Sequence, residues 1–228
     1  MQELFKKYDI NLSEKETLKF SEFLKYFTEI NSQVNLSAIR DEEGIIEKHF
    51  IDSIYLEKFA KISGRVLDMW TWWGFPGIPL KIVNENVEFV LVDSIWKKVK
   101  IVNDFIAKLD LKNIKAIQTR AEELGHDKNY RESFDFVVSR ATAYMPVLLE
   151  YVIPLLKVGW TLIAYKLDNN VEFEEWKKAL ELLGAKIEKI EHYEIWDNKR
   201  SFVFIKKVKP TAKTYPRDVG VPLKNPLV

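Results

Sequence analysis

The sequence predicts an α/β fold, a Rossmann-like, doubly wound sheet of seven strands preceded by a helical N-terminal extension. Three observations carry this expectation. From Gly64 onward, short apolar runs alternate with helical segments, the pattern of βα units on a parallel sheet. The first of those runs (Val66, Leu67) ends in an acid, Asp68, and leads through a turn containing Gly74, Phe75, Pro76 and Gly77 into a helix, as the first strand of a nucleotide-binding sheet does. The last two runs, 185–195 and 201–207, have no helix between them and predict an antiparallel hairpin closing one edge.

Taken in chain order, Ser13 and Glu16 form a capping box. Phe20, Phe23, Leu24, Phe27 and Ile30 then recur at helical spacing, predicting an amphipathic helix whose aromatic stripe is core. The connector Asn35-Leu36-Ser37-Ala38-Ile39 has no period, and a second helix is predicted from Glu42 to about Ile62, with Ile46, Phe50, Ile54 and Phe59 inward. Strands are predicted at 65–69, 87–92, 114–118, 134–138 and 160–166, with helices near 77–84, 97–109, 146–156 and 171–183. The expected organisation is a helical extension over 1–63, the sheet domain over 64–208 and a basic tail over 209–228.

At 228 residues, with 47% apolar residues, the chain can bury a full core. The absence of cysteine excludes disulfides, thiolate catalysis and cysteine-ligated metal, and accords with a reducing cytosol. Three scattered histidines, His49, His126 and His192, point to no metal site. No apolar stretch approaches the ~18 residues of a membrane span, so a cytoplasmic protein with no membrane partner is expected, as a monomer. The net charge of +1 hides an uneven distribution: residues 199–228 hold eight Lys/Arg against one acid, as suits a polyanionic partner or a solvated tail.

Four consecutive strand ends carry ligand-type groups, and open α/β sheets bind ligands at those ends. After the first strand comes the turn at 70–77. Asp93 ends the second strand, 25 residues after Asp68, where a carboxylate can accept from both hydroxyls of a ribose, cap the next helix, or do both. Arg120-Ala121-Glu122 follows the third strand and Ser139-Arg140-Ala141 the fourth. Lys97, Lys98 and Lys100 form a basic cluster on the helix after Asp93 that also suits a solvated face.

The chain resembles the small-subunit (16S) ribosomal RNA methyltransferase G family, also called glucose-inhibited division protein B. The matching pieces run in the family's order: Asn35-Leu36-Ser37-Ala38-Ile39, His49-Phe50-Ile51-Asp52-Ser53, Gly74-Phe75-Pro76-Gly77-Ile78-Pro79-Leu80, Val92-Asp93-Ser94 with Lys97-Lys98, Arg120-Ala121-Glu122-Glu123, Ser139-Arg140-Ala141, Lys166 and Tyr215-Pro216-Arg217. The resemblance implies transfer of a methyl group from S-adenosylmethionine to N7 of one guanine in 16S rRNA, with the small ribosomal subunit as partner. Cofactor contacts are expected at Asp68, Gly74, Phe75, Asp93, Ala121, Glu122 and Arg140, and RNA contacts at Lys97, Lys98, Lys166, Arg200 and Arg217. No catalytic base is expected, because guanine N7 carries a lone pair and no proton at neutral pH.

The chain departs from the family pattern at its tryptophans. Trp70 and Trp72 stand where the family's loop has glycine, and Trp73 where it has a small residue. Trp96 and Trp160 also replace usual glycines, as does Leu167 after Lys166. Glycine serves such a loop by reaching φ > 0 and letting backbone N–H groups approach the ligand, so an indole there costs ~1–2 kcal/mol of backbone strain and adds ~150–250 Å² of surface. Three readings stay open: a methyltransferase with impaired cofactor binding, a non-catalytic chain whose pocket Trp70, Trp72 and Trp73 fill, and a pocket redesigned for another flat or apolar ligand. A rearranged loop that swings the rings outward would leave the crevice open.

Overall fold

The computed structural model describes residues 1–140, 143–167, 173–196 and 198–228. Ala141 and the first residues of the helix expected at 171–183 lie outside these. Seven strands form one sheet: β1 (Arg65–Met69), β2 (Glu88–Asp93), β3 (Ile114–Gln118), β4 (Phe134–Ser139), β5 (Leu156–Leu167), β6 (Ala185–Ile195) and β7 (Asn198–Lys207). Their spatial order is β3-β2-β1-β4-β5-β7-β6. The first five strands are parallel, while β7 runs antiparallel to both β5 and β6. Sheet order therefore reverses beside β1, between β1 and β4, where a doubly wound fold opens a crevice at the strands' carboxyl ends.

The N-terminal extension opens with α1 (Gln2–Lys7), which sequence periodicity does not resolve, followed by α2 (Glu14–Val34). The Ser13–Glu16 capping box starts α2 as expected, with both reciprocal bonds present. Its Phe20, Phe23 and Phe27 are fully buried against Phe5, Phe50, Phe75 and Phe105, so the aromatic stripe is core. The helix expected from Glu42 to Ile62 is a composite of α3 (Glu42–Ile45), a π turn at Ile46–Ile51, α4 (Asp52–Ile54) and a 3₁₀ turn ending at Lys58. A π turn displaces the side chains that follow it and is common at functional sites; here it carries His49.

Between strands lie α5 (Gly77–Val83), α6 (Trp96–Lys108), α7 (Ala121–His126), α8 (Met145–Val152) and α9 (Lys177–Leu183). The expected 146–156 helix ends early because Ile153–Leu155 tightens to a 3₁₀ turn around Pro154 and β5 begins at once. Apolar residues on the two faces of the sheet form two core clusters, one against α2, α5 and α6, the other against α8 and α9.

The C-terminal segment is docked by hydrogen bonds. The Arg131 guanidinium donates to the carbonyls of Thr211, Ala212 and Tyr215, and the Gly220 N–H donates to Glu122; the chain then forms α10 (Val221–Lys224). Several of its basic residues are internally committed. Lys207 is wholly buried, bonded to Glu132 and the Leu156 carbonyl, so it is no RNA contact. Arg217 forms a two-pronged pair with the buried Glu150.

Candidate functional site

The turn after β1 is built around Asp68. Its Oδ2 accepts from the Thr71 hydroxyl at 2.6 Å and the Gly77 N–H at 2.8 Å, tying the strand end to the start of α5. Gly77 permits that approach, since a Cβ there would lie 2.7 Å from the same oxygen and 2.8 Å from Leu91. Gly74, at φ +95°, turns the chain over Ile78. Asp68 is fully buried and its Oδ1 has no partner among the described residues. Burial pushes its carboxyl up to about 7.

Trp70 and Trp72 adopt φ of +60° and +57°, the left-handed backbone that glycine would take without strain. Both indoles are half-buried. Trp70 sits edge-on to Tyr151, and Trp72 packs beside His49, Trp73 and Phe75. Trp73, though beside Trp72, does not line the cleft: it is buried toward α6, with Lys98 over its ring. The expectation that all three rings fill the crevice is thereby corrected. Two rings line it, and a cleft of about 600 Å³ remains, bounded also by Phe75, Asp93, Ile95, Lys98 and Arg140. That volume lies within the ~300–1,000 Å³ of small-molecule sites.

The other tryptophans do not all gather at this cleft either. Trp160 packs edge-on against Phe136, beside the start of β1 and so at the amino end of the parallel strands. Trp96 is 63% exposed at the start of α6, next to the cleft-lining Ile95. Nothing in this arrangement supports reading the set as a deliberate redesign.

Asp93 stands on the cleft wall, where one oxygen accepts from the Ile95 N–H at 3.0 Å and the other lies 3.6 Å from Lys98. It caps the following turn and still faces the cleft, so both roles read from sequence are compatible. Ala121 and Glu122 open α7 but are buried, and Glu122 is occupied by the Tyr151 hydroxyl and the Gly220 N–H, each at 3.0 Å. These two stand behind the cleft lining. Lys97 is exposed on α6.

Arg140 joins the cleft to a second cavity of about 470 Å³, which both share as a wall. Its guanidinium donates to Asp52 at 2.9 Å and to the Lys48 carbonyl, lies 3.4 Å from His49 Nδ1 and sits over the Phe75 ring. Asp52, 1% exposed, also pairs with Arg200 at 3.4 Å. His49 stays neutral, because burial and the neighbouring Arg140 push its imidazole down to about 3. Its Nε2 meets the Ser37 hydroxyl at 3.0 Å. Lys166 and Arg200, expected on separate grounds to face RNA, line this same cavity with Leu167 and Trp196. Burial lowers the Lys166 ammonium to about 8. Sequence reasoning did not single out Asp52, His49 or Trp196 as site residues; the first two lie within the quoted His49–Ser53 match, while nothing in the pattern signalled Trp196.

Comparison with known proteins accords with this geometry. Residues 16–203 match the family model for rRNA small subunit methyltransferase G. The ribosomal RNA small subunit methyltransferase G of Acetivibrio thermocellus is 46% identical over 223 residues, covering 96% of this chain and 92% of its own. The protein of the same name from Clostridium tetani is 42% identical, covering 92% and 91%. Among solved structures, a SAM-dependent methyltransferase from Aquifex aeolicus superposes with a TM-score of 0.54 at 20% identity, over 72% of this chain and 93% of that one. M. jannaschii TYW2 in complex with AdoMet gives 0.57 at 15% identity, over 75% and 80%. These last two establish the fold. The model match and the relatives establish the family: the chain belongs to the S-adenosylmethionine-dependent rRNA small subunit methyltransferase G family.

Proposed function

From that membership we propose that the chain methylates N7 of a guanine in 16S rRNA within the small ribosomal subunit, in the cytoplasm, with its affinity for S-adenosylmethionine reduced by Trp70 and Trp72. The observation that carries this reading is the cleft itself. It keeps the volume and the Asp93 carboxylate that a nucleoside cofactor needs, yet two indoles in left-handed backbone stand on its wall.

The residues present fit the cofactor, in a cleft whose wall carries two indoles. Asp93 is positioned for the ribose hydroxyls; Ile95 and Phe75 offer apolar surface; the Gly74 turn and the buried Asp68 hold the loop. Ala121 and Glu122 support the cleft from behind, and Arg140 closes the side toward the second cavity. S-adenosylmethionine, when bound, supplies an electrophilic sulfonium methyl. The chain's own task is then positional, because the N7 lone pair attacks directly and no proton has to be removed first. In-line alignment of the two reactants supplies the rate enhancement. With its imidazole neutral, His49 adds no positive charge behind the cleft-lining Trp72 and Phe75.

Lys97, Lys98, Lys166 and Arg200 are proposed as RNA contacts at the carboxyl end of the sheet; Arg217, expected among them, has its guanidinium committed to Glu150 and the Asn225 carbonyl and anchors the tail instead. Phosphate contacts of this kind are salt-sensitive and independent of sequence, so base choice falls to shape and stacking. The chain is proposed to act as a monomer. Calorimetric titration with S-adenosylmethionine tests the reading: weak binding that tightens when Trp70 and Trp72 become glycine supports it, and no binding by either protein refutes it.

A further inference from the structure

The cofactor cleft has one wall that comes from the far end of the chain. Leu223, on α10 of the C-terminal segment, lines it together with Ile95, which follows β2. The two arrive from opposite faces of the sheet. Ile95 leads into α6, whose apolar residues belong to one core cluster, while the segment carrying Leu223 is fastened to α7 and α8, which belong to the other. Both side chains are exposed, Ile95 by 50% and Leu223 by 66%. Exposed apolar surface on two walls of one cleft is surface that a flat apolar ligand covers. Asp93, the ribose acid, stands two residues before Ile95 on the same cleft, which puts the base of a bound nucleoside within reach of both.

The fastening makes Leu223 a wall rather than a loose end. Pro222 and Leu227 are buried on either side of it. Pro216 packs on Gly125, where a Cβ would lie 2.5 Å from the proline ring, and its carbonyl meets His126 Nε2 at 2.7 Å. Nearest α10, the Gly220 N–H donates to Glu122, whose same oxygen accepts from the Tyr151 hydroxyl. Tyr151 in turn supports the ring of Trp70 on the cleft wall. One buried carboxylate therefore holds the supports of two cleft-lining side chains. We propose that the C-terminal segment is a working part of the cofactor site: Leu223 covers one face of the base, opposite Ile95, and Glu122 is a positioning residue that sets this wall through the Gly220 N–H. This deepens the cofactor reading and rests on it for the identity of the ligand. A ligand that buries Leu223 also strengthens the docking of residues 219–224, since such coupling is reciprocal.

The test uses two thioether nucleosides that are not methyl donors, S-adenosylhomocysteine and 5′-methylthioadenosine, which share the base but not the amino acid chain. Both are titrated by calorimetry into the full-length chain and into the variant carrying Trp70→Gly and Trp72→Gly. Adding Leu223→Ala should weaken both probes by a similar factor, roughly three- to tenfold, with Tm unchanged because the side chain is exposed. Glu122→Gln keeps an acceptor for Gly220 and should stay within about twofold of its parent. Glu122→Ala should weaken binding, but no further in a chain already carrying Leu223→Ala. Hydrogen exchange gives a readout that does not depend on the Glu122 variants folding: saturating S-adenosylhomocysteine should slow the amides of 219–224 at least about threefold. Unchanged affinities in Leu223→Ala, exchange indifferent to the ligand, or a loss confined to S-adenosylhomocysteine would each overturn the proposal while leaving the cofactor reading intact. Failure of both probes to bind either parent chain removes the two together.

Discussion

Replacing Trp70 and Trp72 together by glycine should make the protein less stable and its cofactor affinity higher. Each residue holds φ near +60°, which costs an L residue ~1–2 kcal/mol, so the double change relieves ~2–4 kcal/mol. Each indole is half-buried. Half of the ~150–250 Å² of a buried aromatic at ~25 cal/mol per Å² is ~2–3 kcal/mol per ring, or ~4–6 kcal/mol for the pair. Glycine's greater freedom in the unfolded chain adds ~1–2 kcal/mol to that loss. The balance is a destabilisation of about 1–6 kcal/mol, a fall in Tm of roughly 2–24 °C for a domain of this size. Binding moves the other way. If S-adenosylmethionine must push one half-buried ring out of its packing against Tyr151 or Phe75, removing the ring returns ~2–3 kcal/mol, a gain of roughly 30- to 150-fold in Kd. Calorimetry on the unmodified chain, the double variant and Trp73→Gly decides it. The double variant should bind at least about tenfold more tightly, and Trp73→Gly should match the unmodified chain, because Trp73 lies outside the cleft. Equal affinities in the first two, or a gain from Trp73→Gly alone, would refute the reasoning.

Asp68→Asn should make stability rise more steeply with pH between about 4 and 7, because it removes a falling contribution that opposes the rising one of the buried, neutral His49. The folded carboxyl is raised to about 7 from its ordinary 3.8, so at this group the folded state binds more protons in that window and its contribution to stability falls as pH rises, by up to ~1.4 kcal/mol per pH unit; urea melts at pH 4.5 and 7 measure the slope, and an unchanged slope in the variant contradicts it. Arg217→Ala leaves the buried Glu150 unpaired and should cost ~3–5 kcal/mol, with Glu150→Gln in the same chain restoring part of the loss in thermal melts. Lys97→Gln, at an exposed side chain, should weaken binding to 16S rRNA and lower the salt slope of the affinity by about 1 while leaving Tm unchanged.

The sheet was legible because its signals are local and repeated. Strands 65–69, 114–118 and 185–195 fall on the observed β1, β3 and β6, since apolar runs bounded by turns declare themselves without tertiary information. The hairpin edge was legible from the missing helix between the last two runs. The 42–62 segment was not, because the π turn at Ile46–Ile51 keeps the composition of an α-helix while changing its hydrogen bonds. At the site, the strand-end residues Asp93 and Arg140 line the cleft, because a doubly wound topology dictates what its switch point faces. The left-handed backbone of Trp70 and Trp72 followed from the glycine pattern they replace. Where their rings and that of Trp73 point depended on packing against Tyr151, Phe75 and α6, which no periodicity encodes. The union of Asp52, Arg140, Lys166 and Arg200 around one cavity brings together residues 52 to 200 and exists only once the sheet has closed.

The most direct test of the account is methyl transfer itself. Small ribosomal subunits lacking the modification would be incubated with methyl-labelled S-adenosylmethionine and either the unmodified chain or the variant carrying both Trp70→Gly and Trp72→Gly, and the labelled nucleoside identified by mass spectrometry. The account predicts 7-methylguanosine in 16S rRNA from both proteins, with the variant faster at low cofactor concentration and the gap narrowing as cofactor is raised. No labelled guanosine from the variant at saturating cofactor, or label on any atom other than N7, would contradict it.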